Sequence, residues 1–278
     1  MALTPQILVN KSLNLVSSPE TYAQLDALIC DPDSSIEDMA AVINTDPALV
    51  SRLLKIVNSS FYGLPSKIDT ISRAITIVGI RELRALVLAT SVINSFRGIP
   101  SSLVNMDKFW RHSLACAIAA RLIAEETKQP EPEQFFIAGL LHNIGSLVLY
   151  QSLPEMALEA ARSASNDNES LYDAETRVIG FHHGEVGAVL IENWGLPDKL
   201  ACVARYLQYP LHAPDHKQLV ATVYVASALV DSVQLGQGVA PVDESVLNLI
   251  NIDASLLPVL LERVNEQQNS VTDFLSEG

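Results

Sequence analysis

The stretch Phe136–Leu149 constrains this chain more than any other. Ile137, Leu140, Leu141, Ile144, Leu147 and Val148 recur at i, i+3, i+4 and i+7, a spacing that predicts one helix buried on most of its circumference. Gly139 and Gly145 interrupt it. Each costs about 1 kcal/mol relative to alanine in a helix, so together they predict that other helices pass very close. At the centre sit His142 and Asn143. An unpaired buried polar group costs roughly 1–3 kcal/mol, so this pair must be hydrogen-bonded, liganded or both.

Around that segment the chain reads as helix after helix. Ser35-Ile36-Glu37-Asp38 is a capping-box start, Asp46-Pro47 caps the next helix, and Asn58 ends it with an amide able to reach its last carbonyls. Thr70 or Ser72 opens a further helix, Gly79 is a C-cap candidate, and Ile80 to Phe96 follow as a long apolar helix. Helices are also expected from Asp107 to about Lys128, after His182-His183, and over Lys217–Val233, with Pro258 kinking or restarting the apolar C-terminal region. No alternating β-branched run is bounded by hairpin residues, so no strand is expected. The pattern breaks at Gly98-Ile99-Pro100-Ser101-Ser102. The fold class is therefore all-α, a multi-helix bundle in two packed subdomains, 1–104 and 105–278.

Charge follows the same division. The chain carries −14 in all, of which residues 1–104 hold −1 and residues 105–278 hold −13. An acidic second half repels nucleic-acid phosphates and anionic lipid, so neither partner is expected. Three cysteines, Cys30, Cys116 and Cys202, lie far apart without a C-x-x-C, which indicates neither a disulfide framework nor a zinc knuckle. No apolar run approaching the roughly 18 residues of a membrane span is read, and a cytoplasmic location is the expectation. The pair Ile36–Ile43 and Ala48–Lys55 looks superficially like a helix-turn-helix, with Ser51, Arg52 and Lys55 outward. Two basic residues are few for a DNA reader, and an ordinary αα-hairpin is the plainer reading.

Several separated blocks carry a family resemblance. In order they are Asp46-Pro47-Ala48-Leu49, Leu53–Gly63, Ile68–Ile75, Val78-Gly79, Arg81–Leu88, Phe109–Ser113, Ala138–His142, Glu185–Ala188 and Trp194–Pro197. This succession resembles the HDOD family, the HD-related output domain of bacterial signalling proteins, across about residues 8–235. Active members of the wider HD phosphohydrolase superfamily hold a divalent metal with a histidine, a His-Asp pair and a later aspartate, and the metal activates water against a phosphate ester. Here His112 and His142 match the histidines, with 29 residues between them, Asn143 stands where the pair has aspartate, and Ser227 stands where the later aspartate falls. Asp231, one turn on, would be about 6 Å away along the helix and is not expected to reach. His183 resembles an additional histidine of the cyclic-dinucleotide phosphodiesterases, but the next such position reads Arg205-Tyr206-Leu207-Gln208.

The resemblance thus implies a degenerate site, His112, His142, Asn143, His183 and Ser227, with no metal and no cofactor. A charge pair at 4 Å is worth about 4 kcal/mol at an effective dielectric near 20, so two absent carboxylates remove several orders of magnitude of affinity for a divalent ion. It implies a non-enzymatic regulatory module that meets signalling proteins in trans, cyclic-di-GMP or response-regulator components among them; apart from the resemblance, Arg81, Arg84 and Arg97 are candidate cations for docking an acidic partner or the acidic second half of the same chain. The alternatives are a residual metal-dependent phosphohydrolase and a DNA-binding regulator.

Overall fold

The computed structural model describes residues 3–12, 19–59, 61–96, 99–167, 169–234 and 242–271. Among these, every regular element is helical, as the absence of strand signals predicts. In chain order the α-helices are α1 (Pro5–Ser12), α2 (Glu20–Cys30), α3 (Ile36–Asn44), α4 (Pro47–Val57), α5 (Ile71–Val78), α6 (Ile80–Ser95), α7 (Met106–Glu126), α8 (Pro132–Leu141) and α9 (Ile144–Ser152). They continue as α10 (Pro154–Asp167), α11 (Leu171–Ile179), α12 (His183–Asn193), α13 (Asp198–Tyr206), α14 (Lys217–Gln234), α15 (Glu244–Ile250) and α16 (Leu257–Val271).

These helices fall into two compact units. One contains α2 to α6 and the part of α16 from Arg263; the other contains α1, α7 to α15 and the start of α16. The expected division at 104/105 differs in two ways: the chain changes unit at Gly98, and α1 belongs with the later helices. The reason is local. Leu8 and Val9 of α1 are buried, and Ser12 Oγ lies 2.7 Å from Ser152 Oγ at the end of α9.

In the α2–α6 unit the capping residues act as read. Ser35 and Asp38 form a reciprocal capping box on α3. Asp46 accepts from the N–H groups of Ala48 and Leu49, so the Pro47 start of α4 is held as its sequence dictates. Asn58 does more than end α4. Its Nδ2 donates to the carbonyls of Leu54 and Ile68, each at 2.7 Å, and its Oδ1 accepts from Ile68 N–H at 2.7 Å. One side chain thereby ties the approach to α5 onto the end of α4.

In the larger unit the apolar run 136–149 is indeed buried, but as two helices rather than one. α8 ends at Leu141 and α9 begins at Ile144, leaving His142 and Asn143 as the break. The Gly139 carbonyl, the regular acceptor for the Asn143 N–H, takes a hydrogen bond from His142 Nδ1–H at 2.6 Å. A side chain competing for the i−4 carbonyl is a recognised way to interrupt a helix ladder. The two glycines serve close approach as predicted: a Cβ on Gly139 would lie 2.8 Å from Ala117 Cα in α7, and one on Gly145 would lie 2.0 Å from the His183 carbonyl at the start of α12. By length and composition Pro132–Ser152 does reach membrane-span character, contrary to the reading of the sequence, but 78% of that stretch is buried inside the protein. A second candidate, formed by α15 and Ala254–Gln268, is bent by 87° at the break between them.

Candidate functional site

The larger unit carries a cavity of about 630 Å³, and its walls bring together most of the side chains singled out in the sequence. His112 enters from the second turn of α7, His142 and Asn143 from the α8–α9 break, His183 from the first residue of α12, and Ser227 from the middle of α14. Tyr150, Tyr172, Tyr224, Phe109 and Lys108 complete an amphipathic lining. A helix start and a break, rather than helix middles, supply three of these five side chains, His142, Asn143 and His183. At such positions the backbone is already irregular, so a polar group can turn inward without disturbing a ladder.

His112 meets an aspartate after all. Its Nε2–H donates to Asp231 Oδ1 at 2.7 Å, while Ser227 Oγ donates to Asp231 Oδ2 at 3.3 Å. The expectation that Asp231 lies out of reach, leaving no negative charge beside the histidines, is corrected. The rise along α14 separates the backbones of 227 and 231, but residues four apart share one helix face, and the His112 ring reaches the last turn of α14. Burial disfavours the charged ring of His112, yet the Cys116 sulfur and the Asp231 carboxylate together push its pKa up to about 10.

His142 behaves oppositely. Burial and the neighbouring His112 charge hold its pKa down at about 4, so the ring is neutral at physiological pH. Its Nδ1–H is spent on the Gly139 carbonyl, which leaves Nε2 as a lone pair. The two rings lie 5.8 Å apart, centre to centre.

His183 is fixed by a residue the sequence reading missed. Glu175 in α11, only 4% exposed, accepts both from His183 Nδ1 at 2.6 Å and from the His183 backbone N–H at 2.7 Å. A carboxylate at the N-terminus of α12 is favoured there by the helix dipole as well as by the two bonds. Tyr172 packs on the His183 ring at 4.3 Å between centres, and its buried hydroxyl has no hydrogen-bond partner. Burial raises the Tyr172 pKa, with the Glu175 charge adding to the effect, so the hydroxyl remains protonated.

Cys116 was missed as well. It lies one turn after His112 on the same face of α7, and its Sγ stands 3.8 Å from both ring nitrogens of His112. The i, i+4 spacing was the available signal. Glu175 had a weaker one, a lone acid eight residues before His183, which no helical or strand period connects.

The candidate partner-binding arginines lie in the other unit. Arg84 is engaged within it: the guanidinium pairs with Asp26 and sits 5.9 Å over the Tyr22 ring. Arg81 is exposed at the start of α6, and Arg97 lies outside the described residues.

The order of helices, the break at His142 and the cavity around it set the frame for comparison with known proteins. The family model described as HDOD domain matches residues 15–210. This chain belongs to the HDOD family. An uncharacterised protein of Treponema pallidum is 30% identical over 211 residues, 75% of this chain but only 40% of the relative's length. Among solved structures, a Shewanella amazonensis protein provisionally named a phosphohydrolase superposes with a TM-score of 0.79 at 22% identity, covering 97% of this chain and 98% of its own. A Marinobacter aquaeolei protein provisionally named a signal transduction protein gives 0.77 at 22% identity, covering 96% of this chain and 61% of its own. At these identities the structural likeness establishes the HD-related all-α fold.

Proposed function

We propose that this HDOD protein is a non-enzymatic signal-transduction module that acts by binding partner proteins, and that its HD-type site no longer holds a catalytic divalent metal. The observation that carries the reading is the chemistry of the donor set. A hard divalent ion favours carboxylate oxygens. Here a neutral amide, Asn143, occupies the position beside His142, the carboxylate nearest His112, Asp231, is engaged by His112 and Ser227, and Glu175 is engaged by His183. His112 protonated against Asp231 is an ion pair that occupies the carboxylate a hard divalent ion would need.

The family resemblance supports the regulatory role, and the name of the Marinobacter protein points the same way. The Shewanella name points to phosphohydrolysis instead, so turnover is the deciding measurement. The purified chain, incubated with Mg²⁺ or Mn²⁺ and a chromogenic phosphodiester, should release no product above the protein-free rate. Turnover that His142→Ala abolishes would overturn the proposal. A cytoplasmic setting is part of the same reading, and affinity capture of a bacterial signalling protein that binds reciprocally when purified would support the partner role.

A further inference from the structure

We propose that His112, Cys116 and His142 form a soft-donor metal site for Zn²⁺, distinct in chemistry from the carboxylate-rich arrangement that the HD pattern describes. One donor atom from each of the three residues lies within 4.8 Å of the other two. Zinc bonds of about 2.0–2.1 Å to nitrogen and 2.3 Å to sulfur place tetrahedral donors roughly 3.3–3.6 Å apart. Cys116 Sγ stands 3.8 Å from both ring nitrogens of His112, so binding requires rotation of the Cys116 and His112 side chains that brings Sγ to the Nδ1 edge of the ring.

The surroundings are those a ligand histidine needs. A metal-bound imidazole usually donates its other N–H to a carboxylate or carbonyl, which fixes its orientation and makes the ligating nitrogen more basic. Both rings meet this condition. His142 gives Nδ1–H to the Gly139 carbonyl, leaving Nε2 for the ion. His112 gives Nε2–H to Asp231, leaving Nδ1 as its remaining nitrogen, 3.8 Å from Cys116 Sγ. Asp231 then acts as a positioning residue through His112, and Ser227 holds Asp231. The cavity lined by His112 and His142 provides the way in, and one tetrahedral position remains for solvent or a further donor.

Two imidazoles and a thiolate select zinc over magnesium or calcium, since softer donors favour the softer ion. On binding, the Cys116 thiol and the His112 Nδ1–H release their protons to solvent, and no change of oxidation state is involved. The ion would join α7 to the α8–α9 break. That role requires no hydrolysis and is independent of whether the protein meets a partner.

The test uses the full chain carrying Cys30→Ser and Cys202→Ser, so that Cys116 is the remaining thiol. Titration with Co²⁺ should give one equivalent bound, with a thiolate-to-cobalt charge-transfer band in the near ultraviolet and the visible bands of four-coordination. Zn²⁺ should displace the cobalt and raise the melting temperature. Adding Asp231→Asn should weaken zinc about 10–100-fold, as loss of an outer-shell partner does. Adding Cys116→Ser should abolish the charge-transfer band while melting in metal-free buffer confirms that it folds. No cobalt binding, or binding with an octahedral spectrum and no thiolate band, would overturn the site, and both outcomes are read on the chain that retains Cys116.

Discussion

The His112–Asp231 pair lends itself to a quantitative test with Asp231→Asn, which keeps the shape of the side chain and removes its charge. A hydrogen bond involving a charged partner contributes roughly 1.5–3 kcal/mol. The Asp231 side chain is 52% exposed and His112 only 15%, so solvent screening brings the expected loss toward about 1–2 kcal/mol. The pH dependence is more telling. The pKa of His112 rises from an ordinary 6.5 to about 10 on folding. The stability this supplies is fully present below 6.5 and is lost as pH climbs toward 10. His142, depressed to about 4, acts in the other direction, and its contribution is lost as pH falls from 6.5 through 4. Linkage of one proton is worth about 1.4 kcal/mol per pH unit. After discounting for the exposure of Asp231, the wild type should lose about 1–1.5 kcal/mol between pH 6.5 and 8.5 on this account. In Asp231→Asn that alkaline slope should flatten while the acid slope persists. Both tryptophans, Trp110 and Trp194, lie in the unit that holds the site, so urea unfolding followed by their fluorescence reports on it directly. Wild-type stability in the variant, with an unchanged alkaline slope, would refute the assignment of His112 and Asp231 as a functional ion pair.

Other consequences can be measured separately. Asn143→Asp alone, with Asp231 already present, should lower the metal-free melting temperature through carboxylate repulsion and regain it with Mn²⁺, and a variant indifferent to Mn²⁺ would remove the argument from missing charge. Gly145→Ala should cost at least about 3 kcal/mol in urea unfolding, because its Cβ would meet backbone atoms of His183 and Gly187 at 2.0 and 2.4 Å. Asn58→Ala removes three hydrogen bonds of 2.7 Å and should cost about 2–3 kcal/mol, measured by circular dichroism, with faster amide exchange at Ile68.

What could be read in advance was what depends on neighbours along the chain. The capping box at Ser35, the Asp46-Pro47 start, the amide at Asn58 and the close approach at Gly139 and Gly145 are each encoded within a few residues. The break at His142 was not legible, because the periodicity of Ile137 to Val148 continues straight through it. Only the hydrogen bond from the His142 ring to Gly139 reveals the competition that ends α8. Asp231 was misjudged because rise along α14 was treated as the distance that matters, whereas the direction of the side chains from α7 and α14 decides the contact. Glu175 needed the fold itself, since its bonds to His183 depend on how α11 turns into α12. The cavity gathers side chains from five helices and one break, a grouping no local pattern contains.

The break in the most apolar run also has a mechanical meaning. A continuous helix would move its two ends together, but here α8 is seated against α7 at Gly139 while α9 is seated against α12 at Gly145, each by backbone-to-backbone approach with no side-chain cushion. The two struts therefore have different foundations and share one joint, at His142 and Asn143. Rotation of the His142 ring away from Gly139 would free that carbonyl for its regular donor, the Asn143 N–H, and so act on where α8 ends. A site built at such a joint links the state of one buried ring to the hydrogen bonding that divides two rigid rods.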